Sequence, residues 1–484
     1  MIKPVELKRK LDFMTHADCE AVHEASVRVL EKTGISVELS DERVEKLRDL
    51  GVRYDKDLKR MYFSEEVIEV ALKSAPGTYT LCARNPENDM PMDGVHGYLT
   101  SDGSCTKIID PITDEYRDST KKDLADLTLV ADATPQISFF WPSVSAADMN
   151  PVIQPMYELQ TVLENTSKHV QAMTAVDPIN ALGSVEIARA VAGGKEALKE
   201  RPIISNFLCS ISPLAYEGKG LEAVLIFAEA GVPTGFVTMP ISCSTAPATI
   251  AGNLVQSNAE ILAGIAVLEL FYPGTPTFYG SCSTTMELKK GGINCGGPED
   301  FLLQNLSARM ARFYGIPSNI GTFAPSAKES DWQAGVENTL SGVLSILGSA
   351  DTMCGGGLIC NASVFSTVQM LLDCETFDLI GATFNGTCFD AEYLAEEVIA
   401  RIGPSNHFMY DKHTLKHMRS IWQPQFFKRG SMMDWFHDGK PTSIDAAKEK
   451  IRHIMQTHTP EPLPNAGQVE YILADYEKRY SRGK

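Results

Sequence analysis

Ile203–Cys209 (IISNFLC), residues 217–230 (EGKGLEAVLIFAEA) and Thr234–Met239 (TGFVTM) read as strand, helix and strand in succession. Both strand segments are mostly apolar, as strands of a buried parallel sheet should be. Two parallel strands need a crossover of about this length, and a helix supplies it. The same unit recurs in both directions from this stretch. The spacing predicts further strands at Tyr98–Ser101, Ile137–Trp141, Val170–Ala175, Thr277–Ser281, Ser318–Thr322 and Thr352–Gly355. Helices are predicted between them at 119–132, 151–166, 179–193, 247–271, 298–314 and 331–348, with a last one near 364–380. Eight βα units in one run point to an α/β fold, the (β/α)₈ TIM barrel. A doubly wound sheet is the rival and usually carries a Gly-rich turn after its first strand. Here Gly355-Gly356-Gly357 comes at the eighth strand, outside any G-x-G-x-x-G frame.

The flanks read differently. Residues 1–95 form a small α/β appendage, with helices at 17–34, 41–51 and 64–74 and short strands at Ile35–Val37 and Arg60–Phe63. Val22, Ala25, Val29 and Leu30 stripe the first helix, Gly34 caps its end, and Ser64 starts the third. Residues 96–402 hold the barrel. Residues 403–484 form a helical appendage with a helix from about His413 to Trp422, the aromatic run Trp422–Phe427 and a last helix starting near Ser443.

Composition bounds the function. The chain has 484 residues, of which 44% are hydrophobic and 22% charged, which suits a globular protein. Its formal charge, 44 − 62 = −18, repels phosphate backbones and anionic membrane surfaces, so neither nucleic acid nor membrane is an expected partner. The residues after Met1 have no signal-peptide character, and a cytoplasmic location is expected. The eleven cysteines show no C-x-x-C pair and no zinc spacing, which suits buried thiols in a reducing compartment and no metal site.

Chemistry in a TIM barrel sits at the C-terminal ends of its strands. Tyr98, Phe139, Trp141, Phe207, Phe236, Tyr279, Phe323 and Phe365 lie on or just after the predicted strands, accompanied by Gln171, Asn206, Ser210, Ser242, Ser281 and Ser283. The barrel segment contains only His96 and His169, so neither a His/carboxylate pair nor a Ser–His–Asp order is available. No catalytic side chain is assigned. His169 precedes a strand and is read as structural, as are His413 and His417, which share one helix face. Asp102 and Asp177 fall in loops after strands one and three, where they could face the pocket, but they read first as loop caps; Glu329, Asp331 and Gln333 read as first-turn residues favoured by the helix dipole. Many aromatics with no acid–base set suggest a box for a cation. The expected substrate contacts are Tyr98, Phe139, Trp141, Gln171, Asn206, Phe236, Tyr279 and Phe365, with Tyr98, Trp141 and Tyr279 meeting at one cavity. A non-catalytic binding protein for a small organic cation and an ordinary TIM-barrel lyase or hydrolase are the competing classes. The first needs an open cleft between lobes, the second a titratable pair at strand ends.

Several stretches resemble a known family. Val27–Val37 (VRVLEKTGISV) and Ser74-Ala75-Pro76-Gly77 are similar to the N-terminal signature of the trimethylamine methyltransferase (MttB) superfamily. Gly315–Asn319 with Ser326–Gly335 resembles its strand-seven region. His407-Phe408 and His413–His417 resemble its C-terminal signature. The resemblance implies a TIM barrel that moves a methyl group from a methylamine to the cobalt of a corrinoid (cobalamin) carried by a separate cognate protein. The founding members contain pyrrolysine, whereas every position here is a standard amino acid. The chain therefore resembles the non-pyrrolysine branch, whose substrates are quaternary amines such as glycine betaine, proline betaine and carnitine. Glycine betaine is the first expectation, with Asn206, Gln171 or a loop hydroxyl as donors to its carboxylate. A homo-oligomer with no permanently bound cofactor is also expected.

Overall fold

The computed structural model describes residues 1–480. Eight parallel strands close into a barrel: β1 (His96–Ser101), β2 (Ile137–Phe140), β3 (His169–Gln171), β4 (Ile204–Cys209), β5 (Thr234–Thr238), β6 (Tyr279–Ser281), β7 (Ser318–Gly321) and β8 (Thr352–Gly356). Each pairs with the next. β8 returns to β1 through Thr352↔Tyr98, Met353↔Leu99 and Gly356↔Ser101. The outer ring is α1 (Lys121–Asp132), α2 (Gln154–Asn165), α3 (Pro178–Ala192), α4 (Gly218–Glu229), α5 (Ile250–Phe271), α6 (Pro298–Tyr314), α7 (Trp332–Gly348) and α8 (Thr367–Phe384).

Local chemistry fixes where these helices begin. Thr120 and Asp123 form a capping box on α1, each satisfying an N–H that the first turn leaves open. Asp177 accepts from the N–H groups of Ile179 and Asn180 at the start of α3, and Asp331 does the same for Gln333 and Ala334 on α7. α8 begins later than the periodicity predicts. Residues 364–366 are a strand that pairs with Leu358–Ile359 and Lys107–Ile109, and Ser366 then caps the helix. β3 is shorter than predicted because the chain turns after it, with the Ala175 N–H reaching the Ala172 carbonyl. The predicted helix from His413 ends at His417 and continues only as a 3₁₀ turn, Met418–Ser420.

The N-terminal segment covers two sides of the barrel. Its helices His16–Lys32 and Glu65–Ser74 lie across α5. That explains why α5 is apolar all round: it is sandwiched between barrel and appendage. α5 is long and apolar enough to cross a membrane, yet 89% of its most apolar stretch is buried inside the protein. The approach of α5 to the barrel is close enough that a Cβ on Gly264 would sit 2.4 Å from the Phe236 ring.

A hairpin, Tyr79–Leu81 with Met90–Met92, seals the N-terminal end of the barrel. Leu81, Met90 and Met92 pack with Tyr98, Phe139 and Phe278. His169 ties this floor down: Nδ1 lies 2.7 Å from the Cys82 carbonyl and Nε2 2.8 Å from the Ser205 hydroxyl. Burial pushes its pKa down to about 4, so the ring is neutral. Lys168 is buried beside it and donates to the Ala131, Thr134 and Ile137 carbonyls, tying the end of α1 to the start of β2. The two C-terminal helices, Ser443–Thr457 and Ala466–Tyr480, lie on α8 and α1 and on α3 and α2 respectively.

Candidate functional site

Side chains on a strand alternate between its two faces. On β4, Phe207 and Cys209 face the barrel interior. On β5 Val237 does so, as do Met239 just past it and Cys282 just past β6. These residues line a cavity of about 240 Å³ at the C-terminal mouth. Trp141, just past β2, and Phe207 form its aromatic wall, with ring centroids 5.0 Å apart and planes at 48°. Met173, Met239, Ile241 and Leu358 add apolar surface. The polar lining comes from Asp102, Thr284, Asp300, Gln304 and Asn361, together with the thiols of Cys209, Cys282 and Cys295.

Of the eight expected contacts, Trp141 alone reaches this cavity. Tyr98 faces inward but lies at the floor, where its hydroxyl donates to the Pro91 carbonyl at 3.0 Å. Phe139 lies below the cavity, against His169 and Trp141. Gln171 is buried outside the cavity lining, with its Nε2 unpartnered. Asn206 occupies the opposite side of β4 from Phe207 and donates to the Ala172 carbonyl at 2.6 Å. Phe236 and Tyr279 are each one residue out of phase with the inward set. Phe236 packs on Gly264 and Tyr216. Tyr279 hydrogen-bonds Asn258 and stacks near Tyr314. Phe365 belongs to the core outside the barrel, beside Gly357 and Met370. The expected meeting of Tyr98, Trp141 and Tyr279 therefore does not occur.

The sequence reading missed Asp300 and ranked Asp102 first as a loop cap. Asp102, just past β1, is not merely a loop cap. It borders the cavity, and burial pushes its pKa up to about 6 despite hydrogen bonds from the Gly103 N–H and the Cys354 thiol. Asp300 lies in the first turn of α6, after a loop long enough to hide its strand-end position. It accepts from Gln304 Nε2 at 3.1 Å, and burial raises its pKa well above the usual carboxylate range. A titratable pair thus does stand at the mouth, although the sequence offered none. Among the described residues neither carboxyl makes a salt bridge, and the cavity lining contains no Lys, Arg or His. Burial also raises the pKa of Cys209 and Cys295, so these thiols are protonated and are poor nucleophiles. Among the described residues no group of three or more His, Cys, Asp or Glu is placed to hold a metal ion.

The site is therefore an aromatic and thioether pocket with one carboxylate ionised at neutral pH, a second carboxyl whose pKa burial raises, and no cationic side chain. It is built to receive a compact cation.

Comparison with known proteins agrees with the fold and names the chemistry of its relatives. The family model described as trimethylamine methyltransferase (MTTB) matches residues 2–483. The chain is 33% identical over 462 residues to the trimethylamine methyltransferase MttB of Desulfitobacterium hafniense (strain DSM 10664 / DCB-2), covering 95% of this chain and 93% of that one. It is 30% identical over 480 residues to the glycine betaine methyltransferase of Desulfitobacterium hafniense (strain Y51), covering 97% and 94%. Among solved structures, the hydroxylamine MtmB complex superposes with a TM-score of 0.53 at 12% identity, over 92% of this chain and 90% of that one, a likeness of fold. The chain belongs to the trimethylamine methyltransferase (MTTB) family and is a methyltransferase.

Proposed function

We propose that the chain moves a methyl group from a quaternary amine to the cobalt of a corrinoid carried by a cognate protein, without pyrrolysine. The observation that carries this reading is the mouth cavity: an aromatic wall of Trp141 and Phe207 beside ionised Asp102, with no Lys, Arg or His in the lining. A quaternary ammonium already holds a neutral amine as its leaving group, so departure requires no proton. The corrinoid, when its carrier docks, supplies the nucleophile that accepts the methyl group.

The chain's own residues bind, orient and dehydrate. The rings of Trp141 and Phe207 hold N-methyl groups by cation–π contact, about 0.5–2 kcal/mol each. Asp102 balances the positive charge until the methyl group leaves. Met173, Met239 and Ile241 exclude water from the scissile N–CH₃ bond. The mouth also suits a docking carrier. Val176, Ile211, Met239, Leu288 and Ile293 are exposed on the connections that follow β3 to β6, and Trp332 on the first turn of α7 after β7, forming an apolar rim around the opening. Glycine betaine, the substrate named for one relative, presents the required ammonium group.

Self-association is part of this reading. Between Phe389 and Phe436 fourteen large apolar side chains are exposed, more than an isolated monomer ordinarily leaves to water. The segment starts where α8 ends, beside Val5 and therefore at the sealed end of the barrel. That position, remote from the mouth, suits a second copy of the chain and not the corrinoid carrier.

Transfer to a Co(I) corrinoid protein, followed by visible absorbance, tests the proposal. Methylation of cobalt by a quaternary amine supports it, and turnover without any corrinoid overturns it.

A further inference from the structure

Resting on the quaternary-amine reading, we infer that the mouth cavity selects methylated cations carrying no carboxylate of their own, and that Asp102 sets this preference. The lining holds two carboxyls and no cationic side chain. Charge bookkeeping separates the candidate ligands. A tetramethylammonium or choline cation beside ionised Asp102 leaves the enclosed pair neutral. A betaine brings its own carboxylate, so a net negative charge remains buried, and two like charges share one low-dielectric space.

Carboxylate recognition ordinarily uses an arginine fork or a lysine. The neutral donors that line this cavity are few. Gln304 Nε2 is already given to Asp300, and the Thr284 hydroxyl is given to the Asn294 carbonyl. Trp141 is 2% exposed and its Nε1–H has no partner. Asn361 uses its Oδ1 to accept from the Cys295 N–H, which leaves its Nδ2 as a second neutral donor in the lining. Two neutral donors fit a hydroxyl such as choline's better than they fit an ionised carboxylate, which needs several donors or a cation when buried. Asp300, a carboxyl, cannot supply a compensating positive charge in either protonation state.

The test is calorimetric titration of the corrinoid-free protein at pH 7.5 with tetramethylammonium, choline and glycine betaine. The two cations should bind at least about tenfold more tightly than glycine betaine. In Asp102→Asn the cations should weaken until this ratio falls to within about threefold. Asp102→Glu, which keeps the charge, should retain the preference. Circular dichroism and thermal melts establish that each variant is folded, and the glycine betaine arm serves as an internal reference. Glycine betaine binding as tightly as the cations, or an unchanged ratio in Asp102→Asn, overturns this inference alone. Absence of binding by all three compounds overturns the quaternary-amine reading beneath it as well.

Discussion

Trp141 and Phe207 stand on opposite sides of β3, one just past β2 and the other on β4, and their rings meet at a centroid distance of 5.0 Å. Neither belongs to the hydrophobic cluster between barrel and helices. Both belong to the interior column that rises from Tyr98 and Phe139 to the cavity. If this pair is the wall against which N-methyl groups rest, truncating either ring should weaken binding more than it weakens the fold. Phe207→Ala should raise Kd for a quaternary amine about 5- to 30-fold, the equivalent of one to two cation–π contacts. Trp141→Phe should cost less than Trp141→Ala. Titration of binding alongside a thermal melt checks this, and an unchanged Kd would remove the pair from the site.

Acid should weaken cation binding. Burial raises the Asp102 pKa to about 6, so its charge is present above that value and lost below it. A bound cation favours the ionised form. Affinity should therefore be flat above about pH 7 and fall toward tenfold per pH unit below 6. Burial raises the Asp300 pKa well above the usual carboxylate range, and the Cys354 and Cys209 thiols near Asp102 stay protonated, so the thiols contribute no competing charge. Asp102→Asn should abolish the dependence. A profile that instead falls with rising pH contradicts the role given to Asp102.

Gly264 reports the packing of α5 on the barrel. A methyl group there meets the Phe236 ring at 2.4 Å, and that ring is itself fixed by Tyr216. Gly264→Ala should destabilise the protein by about 1–3 kcal/mol, despite alanine's better helix propensity. Urea unfolding measures it. A stabilised variant would show that the helix can shift at little cost.

The exposed segment near the C-terminus should control assembly. Replacing Phe389, Met409 and Leu415 together by Asp should shift the protein toward monomer in light scattering, with cation binding retained. A wild-type protein that is monomeric at micromolar concentration would rule out self-association through this surface.

The barrel was legible in the sequence because eight apolar segments alternate with helices, and each strand core lies within or beside its predicted range. The site was legible only in part. Strand parity decides whether a residue enters the barrel, and a one-residue phase change moved Phe236 and Tyr279 to its outer wall. Depth along a strand is equally invisible: Tyr98 faces inward but lies on the floor made by the Tyr79–Met92 hairpin, a piece outside the predicted barrel. Asp300 was hidden because the β6–α6 loop carries two strands, Thr284–Met286 and Ile293–Asn294, of a second small sheet that also takes Ile241–Ser242 from the β5–α5 loop. Asp102 carried a usable signal: an acidic residue one position past a barrel strand, followed by Gly103, whose Cβ would sit 2.6 Å from Ser143. That tight approach holds the loop over the mouth.

The most direct measurement of the central claim is single-turnover methyl transfer to a Co(I) corrinoid protein, with tetramethylammonium, glycine betaine and trimethylamine compared at equal concentration. At neutral pH trimethylamine carries an N–H that is strongly hydrated and costly to bring into an aromatic pocket. The account predicts rapid transfer from tetramethylammonium, slower transfer from glycine betaine and scarcely any from trimethylamine. Comparable rates with trimethylamine would contradict it.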